Sequence, residues 1–206
     1  MNASNLMPLR GSALALWLCA LFLMVAAPLY WRSLELPDDR RIPRAYENAV
    51  LYQRVYPAAE FYRAEMLAGR LPLWNPYTRC GTPHLADPQH ATWQPLSLLW
   101  LVADTRRALA LHGFACLFGM GLTFLLFARA LDVRYGAALL GAVAYAFSGT
   151  AAAALSLPEV AATLVWAPVL FWALLHYVRV ASWAGIVLAG LALGLVWLAG
   201  SVPDRK

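Results

Sequence analysis

ALALHGFACLFGMGLTFLLFA, from Ala108 to Ala128, is the stretch that decides the fold. A segment of roughly 20 apolar residues is what a helix needs to cross about 30 Å of hydrocarbon. Three further runs downstream read the same way, Tyr135 to Leu155, Val160 to Val178 and Trp183 to Gly200. One run lies upstream, Gly11 to Tyr30, with Arg10 before it and Trp31-Arg32 after it. That first run reads as an uncleaved anchor. A signal peptide is the competing reading, since Ala26-Ala27 offers small residues at a cleavage point. The expected fold is all-α, a polytopic transmembrane bundle of about five spans, counted as a single domain over residues 1–206. Leu96 to Val102 is too short to cross and reads as interfacial or re-entrant.

Composition agrees. Of 206 residues, 62% are hydrophobic and 13% charged, where a soluble domain is nearer a quarter charged. The net charge of +5 does not point to nucleic acid, because the arginines are scattered and lysine is almost absent. Cys19 and Cys116 fall in apolar runs and Cys80 stands in the loop, so neither a disulfide framework nor a zinc spacing results. Arg10, Arg129, Arg134 and Arg179 flank alternate ends of the runs, and the turn at Pro158-Glu159 carries no positive charge. The positive-inside rule then places the N-terminus in the cytoplasm. The long loop at 31–95 becomes extracytoplasmic.

Within that loop, Ala58 to Gly69 has helical spacing, with Phe61, Tyr62, Met66 and Leu67 able to share a face. Gly69 is a stop signal, and Pro72 prevents continuation. A short amphipathic helix on the membrane surface fits the pattern, as does a helix packed on its own loop.

Several groups could carry chemistry. Glu35, Asp38 and Asp39 lie just behind the first run. Close carboxylates raise one another's proton affinity and suit a general base or a divalent cation such as Mg or Mn. Pro37-Asp38-Asp39 is equally good turn chemistry, and Arg40, Arg41 and Arg44 stand near enough to neutralise it. His84, Asp87, Gln89 and His90 form a second cluster. Its spacing matches no regular zinc pattern, and the alternatives are a pocket wall that hydrogen-bonds a sugar or phosphate, or a structural loop. Trp74, Tyr77 and Trp93 are interfacial anchors or sugar-stacking surfaces. His112 and Glu159 sit near the outer ends of their runs and could face the same cavity as the loop, whereas His176 lies near Arg179 at the opposite end. No phosphate-cradling glycine loop, nucleophile elbow or dinucleotide fingerprint is present.

The run AGRLPLWNPYTRCGTPHLADPQHATWQPLSLL resembles the first external loop of the YfhO-like bacterial membrane proteins, which look like members of glycosyltransferase class C. The matching positions are Gly69, Leu71 to Tyr77, Gly81, Pro83, Ala86, Gln89 and Pro95, with Tyr56-Pro57 upstream. The resemblance implies an enzyme that transfers a sugar from a polyprenyl-phosphate donor on the extracytoplasmic face, to a cell-envelope glycan acceptor. It implies a loop carboxylate that activates the acceptor hydroxyl or helps hold a metal. Asp38, Asp39 and Glu47 are the candidates, since Glu47-Asn48 stands where the family usually has an aspartate. Trp74, Asn75, Tyr77, His84, Asp87, Gln89 and His90 would then bind substrate. Family members are much longer, so the chain reads as the N-terminal portion of such an enzyme, with a partner membrane subunit as one way to complete it. The rival expectations are a non-catalytic membrane protein that binds lipid-linked sugar or a partner transferase, and a transporter or channel subunit.

Overall fold

A computed structural model describes residues 51–199 except Arg79, Ser156 and Ser182. The first apolar run, 11–30, and the carboxylates Glu35, Asp38, Asp39 and Glu47 lie outside the described residues. What is described is mostly helical. One turn of π-helix, Leu51–Val55, leads into α1 (Tyr56–Leu67). A two-residue hairpin follows, β1 (Trp74–Asn75) with β2 (Thr82–Pro83), then 3-10 turns at Pro88–His90 and Pro95–Leu101. The bundle comprises α2 (Thr105–Ala130), α3 (Tyr135–Ala146), α4 (Gly149–Ala154), α5 (Pro158–Val180) and α6 (Trp183–Leu198).

Among the described residues, α2 and α5 are long and apolar enough to cross a membrane. At 1.5 Å per residue they extend about 39 and about 34 Å. α6, at about 24 Å, is shorter than the hydrocarbon thickness. The single run expected over 135–155 is divided into α3 and α4. Ser148 makes the break: its Oγ donates to the Tyr145 carbonyl at 2.9 Å and accepts from the Ala151 N–H at 3.1 Å. It therefore caps α4 while closing α3. Hydropathy does not register this, because the flanking residues are as apolar as the helices.

α5 packs against α2 and α6, and α2 against α3. The core at these contacts is built from small residues, Ala146, Ala151, Ala154 and Ala161, around Met120 and Val165. Gly119 belongs to the same design. A Cβ there would stand 2.9 Å from Val165 Cγ1, so glycine is what lets α2 approach α5. The outward faces stay apolar, with Leu140, Phe171, Val178, Leu191 and Trp197 all exposed. A surface of that kind is suited to lipid rather than to water.

Pro168 lies inside α5 and removes the N–H that the Leu164 carbonyl would have accepted. Tyr145 on α3 supplies the replacement, its hydroxyl donating to the Leu164 oxygen at 2.8 Å. The two ends of the bundle differ in charge. At one, Arg179 donates to the Ala130 carbonyl at 2.6 Å and lies 3.6 Å from Asp132, while Arg129 sits 4.3 Å over the Tyr135 ring. At the other end α5 begins at Pro158-Glu159, and the loop docks there.

The loop is held by side chains that reach across it. α1 ends at Gly69 (φ +72°), as its sequence predicts. The Gly69 N–H bonds the Met66 carbonyl and the Arg70 N–H bonds that of Glu65, the paired closure that a left-handed residue permits. Of the face predicted for α1, Tyr62 is buried with Ala59 against Trp100, Ala108 and Leu109, and Met66 packs beside them. Leu67 is exposed. α1 is thus a helix packed on the loop and on the start of α2. Two further ties secure it: Arg63 Nε donates to the Ala103 carbonyl at 2.7 Å, and Thr105 Oγ1 donates to the Glu60 carboxylate. The segment 95–101, expected to be interfacial or re-entrant, is a 3-10 helix with Ser97 and Trp100 buried.

The Tyr145 bond answers a vacancy made by Pro168, which gives a paired prediction. Tyr145→Phe should lower stability by about 1 kcal/mol. In a Pro168→Ala background, where the backbone N–H returns, the same change should cost much less. Thermal unfolding of the four variants in detergent reads the coupling, and equal costs in both backgrounds would contradict the pairing.

Candidate functional site

Where the loop meets the outer ends of α2 and α5 there is a partly enclosed cavity. Arg54 and Ala59, the loop residues His84, Gln89, His90 and Thr92, Ser97 and Trp100, and the helix residues His112 and Glu159 line it. The space open to the centre of a water molecule is about 30 Å³, room for about two waters.

Each polar group arrives by a specific local device. The hairpin pairs Trp74 with Pro83 and Asn75 with Thr82, and the following His84 N–H bonds the Leu73 carbonyl at 3.0 Å. His84 is thereby carried inward and is 1% exposed. Asp87 Oδ1 accepts from the Gln89 N–H at 2.9 Å, an Asx turn that starts the 3-10 turn and presents His90. The two imidazoles stack, 4.2 Å between centroids and 13° between planes, and Phe61 meets the far side of His84 edge-on at 5.1 Å. Ala91 follows at φ +47°. That left-handed conformation is unfavourable for a residue with a Cβ, and it turns the chain so that both His90 and Thr92 line the cavity.

Electrostatically the site sets one guanidinium, Arg54, against the Glu159 carboxylate, with the Asp87 carboxylate beside it. Arg54 and Glu159 form an ion pair across 105 positions of sequence, with the Glu159 side chain 7% exposed. Burial pushes the His84 pKa down to about 4; the neighbouring His90 lowers it further and Asp87 partly opposes this. Burial also lowers His90, with Asp87 opposing and Arg54 reinforcing. The contact of His90 Nε2 with Asp87 Oδ2 at 3.6 Å is therefore a polar contact of a neutral imidazole at pH 7.

Two side-chain atoms of residues that line the cavity, His84 Nδ1 and Thr92 Oγ1, are buried without a hydrogen-bond partner among the described residues and present almost no surface to the space itself. Leaving a buried polar group unmatched costs about 1–3 kcal/mol. A metal centre is a poor fit to the described residues, because no three of His, Cys, Asp or Glu converge there. Stacking turns the faces of His84 and His90 toward each other, so their lone pairs are not aimed at a common ion.

Of the residues predicted to bind substrate, His84, Gln89 and His90 come together in the cavity, and Asp87 supports them from beside it. Asn75 is buried in the hairpin turn, where its Oδ1 accepts from the Tyr77 N–H at 3.0 Å. Trp74 and Tyr77 are exposed, at 57% and 87%, and neither lines the cavity. The predicted catalytic set, Asp38, Asp39 and Glu47, lies outside the described residues. His112 and Glu159 do face the same cavity as the loop. Sequence reading missed Arg54, Thr92 and Trp100. No local signal distinguishes Arg54 from the other loop arginines, since its partner is on a distant helix.

Removing one member of the ion pair leaves a charge stranded. Arg54→Met should destabilise the protein near the lower end of the about 3–5 kcal/mol typical of buried pairs, because Arg54 is itself a third exposed. Arg54→Met with Glu159→Leu should recover most of that loss in thermal melts. A double variant as unstable as the single would contradict the pairing. The pH dependence follows from His84. Its folded pKa lies below the ordinary value of 6.5, so its contribution is fully present above about pH 6.5 and is lost as pH falls toward 4. A His84→Asn variant should show a flatter acid limb over that window. An unchanged limb would contradict the assignment.

Comparison of the chain with protein-family models, with curated proteins and with solved structures finds no match.

Proposed function

We propose that this chain is a multi-span protein of the bacterial inner membrane that takes part in sugar transfer from a polyprenyl-phosphate carrier to a cell-envelope glycan, on the outer face. The observation that carries the reading is the cavity. Loop residues of the YfhO-like motif meet the ends of α2 and α5 there, at the end of the bundle opposite the basic turns. A donor dissolved in the bilayer and an acceptor in the aqueous phase can meet at such a boundary. The reading counts five spans with a cytoplasmic N-terminus, taking α3 with α4 as one broken span, α6 as a short span over which the bilayer thins, and the apolar run 11–30 as the first.

In this reading one of Asp38, Asp39 and Glu47 takes the proton of the acceptor hydroxyl. The hydroxyl oxygen forms a bond to the anomeric carbon. The bond from that carbon to the phosphate oxygen breaks, and the polyprenyl phosphate leaves with the electron pair. His84, Gln89 and His90 orient the reacting groups, and the Arg54–Glu159 pair holds the loop that carries them. A binding role without turnover is the second reading. It is favoured by the fact that the described carboxylate of the cavity, Glu159, is already engaged by Arg54.

The test is transfer of labelled sugar from a polyprenyl-phosphate donor to envelope glycan, in membranes containing the full chain. Asp38→Asn combined with Asp39→Asn should reduce transfer about 100-fold or more, the scale of a lost general base, with membrane insertion unchanged. Donor retention without transfer would support the binding role. Neither retention nor transfer would overturn both.

A further inference from the structure

The segment that joins the loop to α2 inverts the usual polarity of a surface helix. Across 95–103 the one polar side chain is that of Ser97. It is turned inward, where its Oγ bonds the Gln94 carbonyl at 2.5 Å and lies 3.0 Å from that of Thr92. Side chains three apart eclipse in a 3-10 helix, so Trp100 shares that buried face and lines the cavity with Ser97. The remaining faces show Pro95, Leu98 and Val102 to the surroundings, and Trp93 precedes them; all four are exposed. A helix on a water-facing surface carries the reverse pattern.

Two observations identify what covers this apolar surface. The first is depth. α2 begins directly after Ala103 and Asp104. At about 39 Å it exceeds the about 30 Å of hydrocarbon, so as a span it carries its first turn out to the headgroups, and the 3-10 helix with it. The second is charge. Arg106 and Arg107 in that first turn are exposed, while Thr105 and Ala108 are buried. Asp104 lies 3.5 Å from Arg107 and offsets part of one charge. An apolar face beside exposed guanidiniums is complementary to acyl chains beneath lipid phosphates.

We propose that the 3-10 helix Pro95–Leu101 is seated in the outer headgroup–acyl boundary of the bilayer, with Trp93, Leu98 and Val102 against lipid and Ser97 and Trp100 against the cavity. Its partner is the lipid surface itself. α1, whose periodicity also suits a membrane surface, packs on the loop instead. Two residues that line the cavity are then carried by a membrane-seated element, which holds the cavity at the depth of the lipid headgroups. The inference rests on the reading of α2 and α5 as membrane spans and is independent of sugar transfer.

The experiment places a nitroxide at Leu98→Cys, at Val102→Cys and, as a reference, at Phe171→Cys, an exposed position near the middle of α5. The full chain, with Cys19→Ala, Cys80→Ala and Cys116→Ala, sits in nanodiscs of phosphatidylethanolamine and phosphatidylglycerol. Collisional relaxation by oxygen and by a water-soluble nickel chelate gives the depth of each label. Phe171 should lie near the bilayer centre, about 15 Å below the boundary, and Leu98 and Val102 about 5–10 Å into it. Labels at Leu98 and Val102 as open to the chelate as a label in water would overturn the proposal. So would low accessibility to both reagents, the mark of a surface covered by protein. A Phe171 label in water would overturn the span reading together with the proposal that rests on it. Because Cys116 belongs to the core, a second measurement keeps the native cysteines. The emission lost in Trp93→Phe should be quenched more by lipid brominated just below the headgroup than by lipid brominated at the chain end. Insensitivity of that emission to both brominated lipids would overturn the proposal equally.

Discussion

A polar loop stays packed on an apolar bundle only if the hydrogen-bonding groups it buries find partners there. Gln94 meets that constraint for this protein. Its side chain is 2% exposed, yet both ends of the amide are used. The Nε2 donates to the Leu195 carbonyl on α6, and the Oε1 accepts from the Trp166 indole N–H on α5 at 2.8 Å. One loop residue thereby bridges two helices. Arg54 makes the second bridge, to Glu159 at the start of α5. Between these two anchors the segment 84–94 is drawn down onto the ends of α2 and α5, and the cavity is the space left beneath it.

The anchors also explain the character of that space. A loop held by an ion pair brings one guanidinium and one carboxylate, Arg54 and Glu159, to the cavity together. Burial of the stacked His84 and His90 keeps their imidazoles uncharged. What remains is a small, partly open polar chamber lined by these side chains. Its surroundings are rigid for identifiable reasons: Gly119 permits close approach of α2 to α5, and Tyr145 repairs the backbone vacancy at Pro168. A rigid scaffold that carries an irregular polar loop is a common arrangement for recognition.

Local signals in the sequence carried well into the structure. The apolar length of α2 and α5 was legible, as was the stop of α1 at Gly69, because each depends on residues close in the chain. The inward-facing loop residues His84, Gln89 and His90 stood out because a plain connecting loop has no need of them. The division of 135–155 was not legible, since Ser148 breaks the helix through hydrogen bonds that leave hydropathy almost unchanged. Trp74 and Tyr77 could not be sorted from the true lining residues, because aromatic character is the same in a pocket wall and on an exposed hairpin. Arg54 was hidden for another reason. Its meaning comes from Glu159, and nothing in either neighbourhood indicates that the two meet.

The docking of the loop on the bundle is the claim from which the cavity follows, and Gln94 offers the most direct view of it. In perdeuterated protein in nanodiscs, the nuclear Overhauser cross-peak between the Trp166 indole proton and the Gln94 side-chain amide reports that contact alone. The account predicts a clear cross-peak, lost in Gln94→Leu while the rest of the helical spectrum is retained. A loop whose protons show no contact with α5 or α6 would contradict it, and the cavity would have to be abandoned with it.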